Sequence, residues 1–427
     1  MNATIRLTEY EAADPRTHPE LRRELSAEES KIVESINSSR RLEIVERRDG
    51  LRIKANRYVG VVSIGELSIQ IRPKLRPELL PTFLRYALGV SRHDTVRDAR
   101  AQLSELGFID LIAMLFLDEF DGILQSGLIQ EYRTKDAARA APKGRIQFGQ
   151  LARVPPGGAL TVPCSFDERS HDIPLNRLLL ATLNTLISSV ADYSLAFDLH
   201  TRAAMLAERC EPVILDVALV SICRNTLNRM SHYYERAVDL AELILRSMGI
   251  AANGEETEAL PGFLFDMAQL FEQFVAKLCS EYSPRGMTSD AQVTKRDAFA
   301  FNANPYHWRR PALRPDIVVR DASGKIVRIL DTKYKLLGPN APPSPSDLYQ
   351  LTLYSLGFSN TGSVPARIIY PTLQTAPQTA VLQFRGFDDN SKSATITMFG
   401  LDIAHCAQAL DKRDHNELAA IARNVIG

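Results

Sequence analysis

This chain of 427 residues lacks the features that define several large protein classes. No stretch approaches the roughly 18 to 20 uncharged apolar residues that a membrane-crossing helix requires, so a spanning protein is not expected. The opening MNATIRLTEYEAADPR is acidic and polar, without the apolar core of a secretory signal, and points to the cytoplasm. Cysteine is scarce: Cys164, Cys210, Cys223, Cys279 and Cys406 are the five present. With no C-x-x-C pair and no histidine at zinc-ligand spacing, they read as reduced, mostly buried thiols rather than a disulfide frame or a zinc site. Net charge is absent too, since 51 basic residues balance 51 acidic ones, and no global field marks a polyanionic partner. What remains, 45% apolar and 24% charged, is the composition of a soluble globular protein. The length exceeds the usual size of one hydrophobic core, so two or three domains are expected.

Three consecutive segments are predicted. Residues 1–155 are the most strand-like, because RLEIVERRDGLRIKANRYVGVVSIGELSIQIRPKL alternates β-branched and polar residues around D-G and I-G-E breaks. Helices are inserted after these antiparallel strands, where LPTFLRYALGV and LSELGFIDLIAMLFLDEFDGILQSGLIQEY have apolar residues at helical spacing, and KGRIQF returns to strand. Residues 156–255 form a helical middle section, with LNRLLLATLNTLISSV and RNTLNRMSHYYERAVDLAELILRSM nearly free of breakers. A Gly/Glu-rich connection, AANGEETEALPG, follows, with Pro261 placed to open a helix running from Phe263 to about Tyr282. Residues 256–427 then read as a mixed α/β domain, and the whole as an α+β multidomain protein.

The chemistry concentrates in RPDIVVRDASGKIVRILDTKYK, residues 314–335, which has the form of a β-hairpin. A turn at Asp321–Gly324 with Arg320 facing Lys325 places Asp316 opposite Ile329; a tighter Ser323-Gly324 turn places it opposite Asp331. Either way the two acids lie within about two residues of each other on strands roughly 4.8 Å apart. Lys333 shares a face with Asp331, because strand side chains repeat every two residues. Two carboxylates so close repel, and in an interior they shift their pKa or take up a cation. Mg²⁺, or Mn²⁺ in its place, suits them, since such ions take one or two carboxylates and keep several waters. The ammonium of Lys333 can help a water attack and can stabilise charge on a phosphorane-like transition state, so the trio suits metal-assisted phosphodiester hydrolysis.

Other residues join this site as candidates. Glu272 sits among large hydrophobes in PGFLFDMAQLFEQFVAKLCSEY as an extra ligand or water-orienting group, with Asp266 as its competitor, or else as an ordinary exposed helix acid. Gln350 and Tyr354 lie four apart in DLYQLTLYSLGF, on one side of a helix, placed to contact a DNA backbone, brace the metal site or support packing. Between Ser283 and Asn340 eleven Lys or Arg stand against five Asp or Glu, a local excess in a neutral chain. Tyr306 and Trp308 lie inside that basic stretch, where aromatics can stack on bases or sugars. The commoner fate of a lone tryptophan is the core.

These motifs carry a resemblance. PD followed by D-x-K, with a helix glutamate before and Q-x-x-x-Y after, is similar to the PD-(D/E)xK nuclease superfamily in its RecB-like form. The order LFE, RPD, DTKYK, YQLTLY resembles the McrC family, the nuclease subunits of McrBC-type modification-dependent restriction systems. The amino-terminal NRYVGVVSIGELSIQIRPK, with GLIQEYRTKDAARAAPKGRIQF and FDERSHDIPLNRLLL, is similar to the same family. The resemblance implies a β-rich, partner-binding amino-terminal domain and a carboxy-terminal nuclease domain with a mixed sheet. It implies Asp316 and Asp331 as metal ligands, Lys333 as the catalytic amine and Glu272 as an ancillary acid. It further implies an McrB-like AAA+ GTPase hexamer as partner, stimulated by this chain, and double-stranded modified DNA as substrate. Arg72, Lys74, Lys143 and Arg145 are candidates for contact with that ring or its nucleotide. The sequence has no G-x-x-x-x-G-K-[ST] loop, so a nucleotide-driven motor would be another chain. The competing readings are a stand-alone RecB-like nuclease and a non-catalytic adaptor of such a motor.

Overall fold

The structure, a computed structural model, describes residues 3–89, 107–151, 161–248, 262–335, 337, 341–359, 362–372, 379–385 and 393–427. The chain divides into two units, one of them discontinuous: residues 1–91 with 264–427, and residues 92–263. This differs from the three consecutive segments expected above. Local composition reports which element a stretch forms, but not which distant stretch it packs against.

In the discontinuous unit the first strands are β1 (Ala3–Thr8), β2 (Ala12–Ala13), β3 (Leu42–Arg47), β4 (Gly50–Ala55), β5 (Tyr58–Ile64) and β6 (Leu67–Arg72). The D-G and I-G-E breaks are the turns of the antiparallel β3–β4 and β5–β6 hairpins. The strand β1 joins β6 in parallel, a pairing that the local pattern of antiparallel hairpins did not reveal. Its alternation places Ile5 and Leu7 in the core with Val62, Ile64, Ile69 and Ile71.

The two other sheets lie further along the chain. In residues 92–263 the strands β7 (Glu131–Arg139), β8 (Arg145–Ile146) and β9 (Val162–Ser170) form one sheet, beside helices Phe108–Ser126, Pro174–Ile187, Tyr193–Ala207, Val217–Thr226 and Glu235–Ser247. Four of these helices lie in residues 156–255, which also carry the strand β9, and a buried polar knot ties the two kinds of element together. The Asn176 amide donates to the carbonyls of Ile129 and His171 at 3.0 and 2.7 Å, and the Tyr234 hydroxyl donates to Asn176 Oδ1 at 2.7 Å. Of the predicted KGRIQF strand, Arg145–Ile146 is extended and Phe148–Leu151 is a short helix.

Back in the discontinuous unit, β10 (Gly262–Asp266), whose last three residues belong to it, completes the order β1-β6-β5-β10. Here the sequence expectation is corrected, because Phe263 lies in this strand and not in a helix. Asp266 starts the helix Met267–Glu281, its Oδ1 accepting from the amides of Ala268 and Gln269 at 2.9 and 3.3 Å. The proposed opener Pro261 lies outside the described residues. That helix buries Leu270, Phe271, Phe274 and Leu278, and Phe274 stacks on Phe83 of helix Leu80–Leu88 with ring centroids 4.9 Å apart. Burying each such aromatic contributes about 1.5–3 kcal/mol.

Besides the small sheet β2-β4-β3, this unit has a six-stranded mixed sheet, in the order β11 (Thr288–Ala291), β12 (Ile317–Arg320), β13 (Ile326–Thr332), β14 (Ala366–Thr372), β16 (Ala394–Asp402), β15 (Thr379–Phe384). The pairs β13–β14 and β14–β16 are parallel, and the others antiparallel. Helix Pro345–Gly357 covers one face, where Leu351 and Tyr354 meet Val318, Ile329, Ala366, Ile368 and Ile396. Since alternate residues share a face, Asp316 and Asp331 extend this apolar face at its edge.

Within the same unit a buried acid lies directly beneath the strand end that follows Asp331. Glu9, 1% exposed, accepts from the Tyr334 hydroxyl at 3.2 Å and the Lys74 amide at 3.0 Å. Burial pushes its carboxyl up to about 7, against those bonds. A carboxyl raised in the fold stabilises it fully below the ordinary value of 4.5, and that contribution is lost as pH rises through about 7. Glu9→Gln is therefore expected to flatten part of the fall in melting temperature over that window. Melting curves against pH check this, and identical slopes for variant and wild type would refute it.

Candidate functional site

The register of the β12–β13 hairpin decides the site. Gly324, at φ +81°, closes a turn in which its amide donates to the Asp321 carbonyl at 2.9 Å. A left-handed glycine after such a turn is the usual device of a hairpin with a bulge. A second irregularity between Val319 and Arg320 leaves Ile317 opposite Leu330 and Val318 opposite Ile329. One residue further, Asp316 stands across from Asp331, the arrangement of the tighter of the two registers.

Asp316 is fixed by Thr332, whose amide and hydroxyl both donate to its Oδ2, at 2.6 and 2.7 Å. Asp331 is 1% exposed, and its Oδ2 lies 2.5 Å from Lys333 Nζ. That contact is an ion pair without the alignment of a hydrogen bond, so a buried carboxylate oxygen is left without a proper donor. Burial, then the charge of Asp316, push the Asp331 carboxyl up to about 6 although Lys333 pulls it down. For Lys333, burial works against the charged form, but Asp331 and Asp316 outweigh it and hold the ammonium above its ordinary value. Burial thus acts on both groups, and beside it two carboxylates face a single ammonium.

Lys333 is also steered by Gln350, whose Oε1 accepts from its Nζ at 3.3 Å. The Gln350 amide donates to the Tyr354 hydroxyl at 2.7 Å, and that hydroxyl donates to the Arg314 carbonyl at 3.0 Å. Gln350 and Tyr354 thus form a brace from the covering helix to the residue before Pro315. Asp266, the competitor for the helix acid, is occupied as the cap and by Arg57 at 2.9 Å.

Glu272 accepts a hydrogen bond from the side-chain amide of Gln292. Burial, with Asp316 as the next cause, pushes its carboxyl up to about 7. Sequence reasoning missed Gln292. Ala291 pairs with Ile317, and the Gln292 amide donates to the Asp316 carbonyl at 2.8 Å, so Gln292, Asp316 and Asp331 form one row across three strands. The strand TSDA before it is short and mostly exposed, with no apolar alternation to reveal that it joins the sheet.

Among the described residues no group of three or more His, Cys, Asp or Glu forms a ready metal cage. Two facing carboxylates, one with a buried oxygen lacking a well-aligned donor, nonetheless fit a hard divalent ion that keeps most of its waters. Thiol and imidazole ligands play no part in this donor set. No helix among the described residues is long and apolar enough to cross a membrane.

A chain of the Thermococcus gammatolerans assembly of McrB AAA+ hexamers with bound McrC is similar over 98% of this chain and 100% of its own, at 20% identity and a TM-score of 0.61. A chain of the McrBC complex of the same organism matches 66% of this chain and 89% of its own, at 19% identity and a TM-score of 0.45. No curated protein matches. Residues 53–371 match the family model described as McrBC 5-methylcytosine restriction system component. The chain belongs to the family of McrBC 5-methylcytosine restriction system components.

Proposed function

We propose that the chain is the DNA-cleaving subunit of an McrBC-type complex, hydrolysing phosphodiester bonds in modified double-stranded DNA with Mg²⁺, or Mn²⁺ in its place. The observation that carries this reading is the facing pair Asp316 and Asp331 with the Lys333 ammonium beside them. Asp316 and Asp331 would hold the ion, which when bound would polarise the scissile phosphate. Thr332 fixes the Asp316 carboxylate. Lys333, aimed by Gln350, stabilises the charge that grows on the phosphate oxygens as the bond breaks. Glu272, raised to about 7 and oriented by Gln292, is matched near neutral pH to accepting a proton from the attacking water.

The partner would be an McrB-like AAA+ GTPase hexamer, which this chain stimulates. Family membership supports that, as does the likeness in fold to a chain of an assembly in which McrB hexamers carry McrC. A mixture of this chain, its cognate GTPase, GTP, Mg²⁺ and methylated plasmid is expected to cut the plasmid, and chelation of the metal to stop both cutting and GTP hydrolysis, since the motor's own substrate is the Mg²⁺ complex of GTP. GTP hydrolysis without any cutting in the presence of metal would leave the chain an adaptor. Metal-dependent cutting of naked DNA by this chain alone would favour a stand-alone nuclease.

A further inference from the structure

The segment between β11 and β12 leaves the sheet at Gln292 and returns at Asp316, so both of its ends belong to the row of site residues. Reciprocal amide–carbonyl bonds between Lys295 and Leu313, at 2.8 and 2.9 Å, tie it at its base. Beyond that tie the chain carries Arg296, Arg309 and Arg310 against one acid, Asp297. Its tip is ordered by a single side chain. Asn304 accepts from the Trp308 amide through Oδ1 at 2.9 Å and donates to the Trp308 carbonyl through Nδ2 at 2.8 Å. His307 adopts the left-handed conformation, φ +54°, to let the chain turn there.

This geometry holds two aromatic rings outward. Tyr306 and Trp308 are stacked, with centroids 5.0 Å apart and 23° between planes, yet they are 71% and 63% exposed. The only tryptophan in the chain is therefore not a core residue, as its type alone would suggest. Phe299 and Phe301 on the same segment are exposed as well. Large rings left in water at a preordered tip mark a contact surface. The arginines favour a polyanion over an apolar protein face, and aromatic rings interleaved with cations are the usual platform for unpaired nucleic-acid bases.

We infer that the Tyr306–Trp308 tip is a DNA-binding element, stacking on a base exposed from the duplex while Arg309 and Arg310 engage the neighbouring phosphates. The inference rests on the proposed function and names how its substrate is held. The lone tryptophan gives a direct readout. A dye-labelled duplex with a single-stranded gap is titrated with this chain in a metal chelator, following the anisotropy of the DNA and the emission of Trp308. Quenching of Trp308 in step with the rise in anisotropy is expected. Tyr306→Ala should weaken binding at least about fivefold. Arg309→Gln with Arg310→Gln should lower the slope of log affinity against log salt by about two. Melting temperatures equal to wild type would show that these surface variants stay folded. Saturated anisotropy with unchanged Trp308 emission, or no binding at all, would overturn the inference. Metal-dependent plasmid cutting is scored separately, so an unresponsive Trp308 beside active cleavage removes the tip and leaves the nuclease reading standing.

Discussion

Asp331→Asn is expected to lower DNA cleavage by about a thousandfold, the scale on which loss of a group that stabilises developing charge is felt in a water-poor site. Asparagine keeps the size and one acceptor oxygen, so the substitution removes charge without opening a cavity. The effect should exceed that of any neighbour because Asp331 is the most buried of the acids and contributes the oxygen that lacks an aligned donor. Assembly with the GTPase, read by co-purification and GTP turnover, should be unchanged. Wild-type cleavage by this variant would defeat the assignment of the site.

Lys333→Met is expected to reduce cleavage by about a hundredfold or more while leaving metal binding in place, because it removes the cation nearest the acids and keeps the length of the chain. A second signature separates electrostatics from packing. The ammonium is what pulls the Asp331 carboxyl down towards about 6, so its loss should let that carboxyl rise further. A proton then competes with metal up to higher pH, and the acidic limb of the pH–rate profile should move upward. An unmoved limb together with an unchanged rate would show that Lys333 is only a neighbour of the site.

Much of this arrangement is legible in the amino acids, for identifiable reasons. The helical middle is written in leucine-rich runs, and the first hairpins in D-G and I-G-E, where turn chemistry and periodicity agree. The pairing of Asp316 with Asp331 was one of two registers, and no local signal chooses between them. The choice depends on the Gly324 turn together with the irregularity at Val319/Arg320. Phe263–Phe265 read as helix because three consecutive hydrophobes fit either element. They are a strand because Asp266 caps the helix behind them and all three side chains are buried. Trp308 ran against the habit of its residue type, and Gln292 had no apolar neighbours to announce its strand. The discontinuous unit lay beyond any local reading, since it depends on contacts between residues hundreds of positions apart, such as the bond from the Tyr10 hydroxyl to the Tyr334 carbonyl.

The Asp331→Asn variant also offers the most direct test, because the account depends on a divalent ion held between the strands at residues 316 and 331. Calorimetric titration of Mn²⁺ into the wild-type chain should show one carboxylate-dependent site. Its affinity should rise with pH through about 6, where Asp331 gives up its proton. Saturating metal should raise the melting temperature accordingly, by about 2.7 kcal/mol of stability at a hundredfold excess over the dissociation constant. In Asp331→Asn both effects should vanish. Equal Mn²⁺ binding by the two proteins would contradict the account.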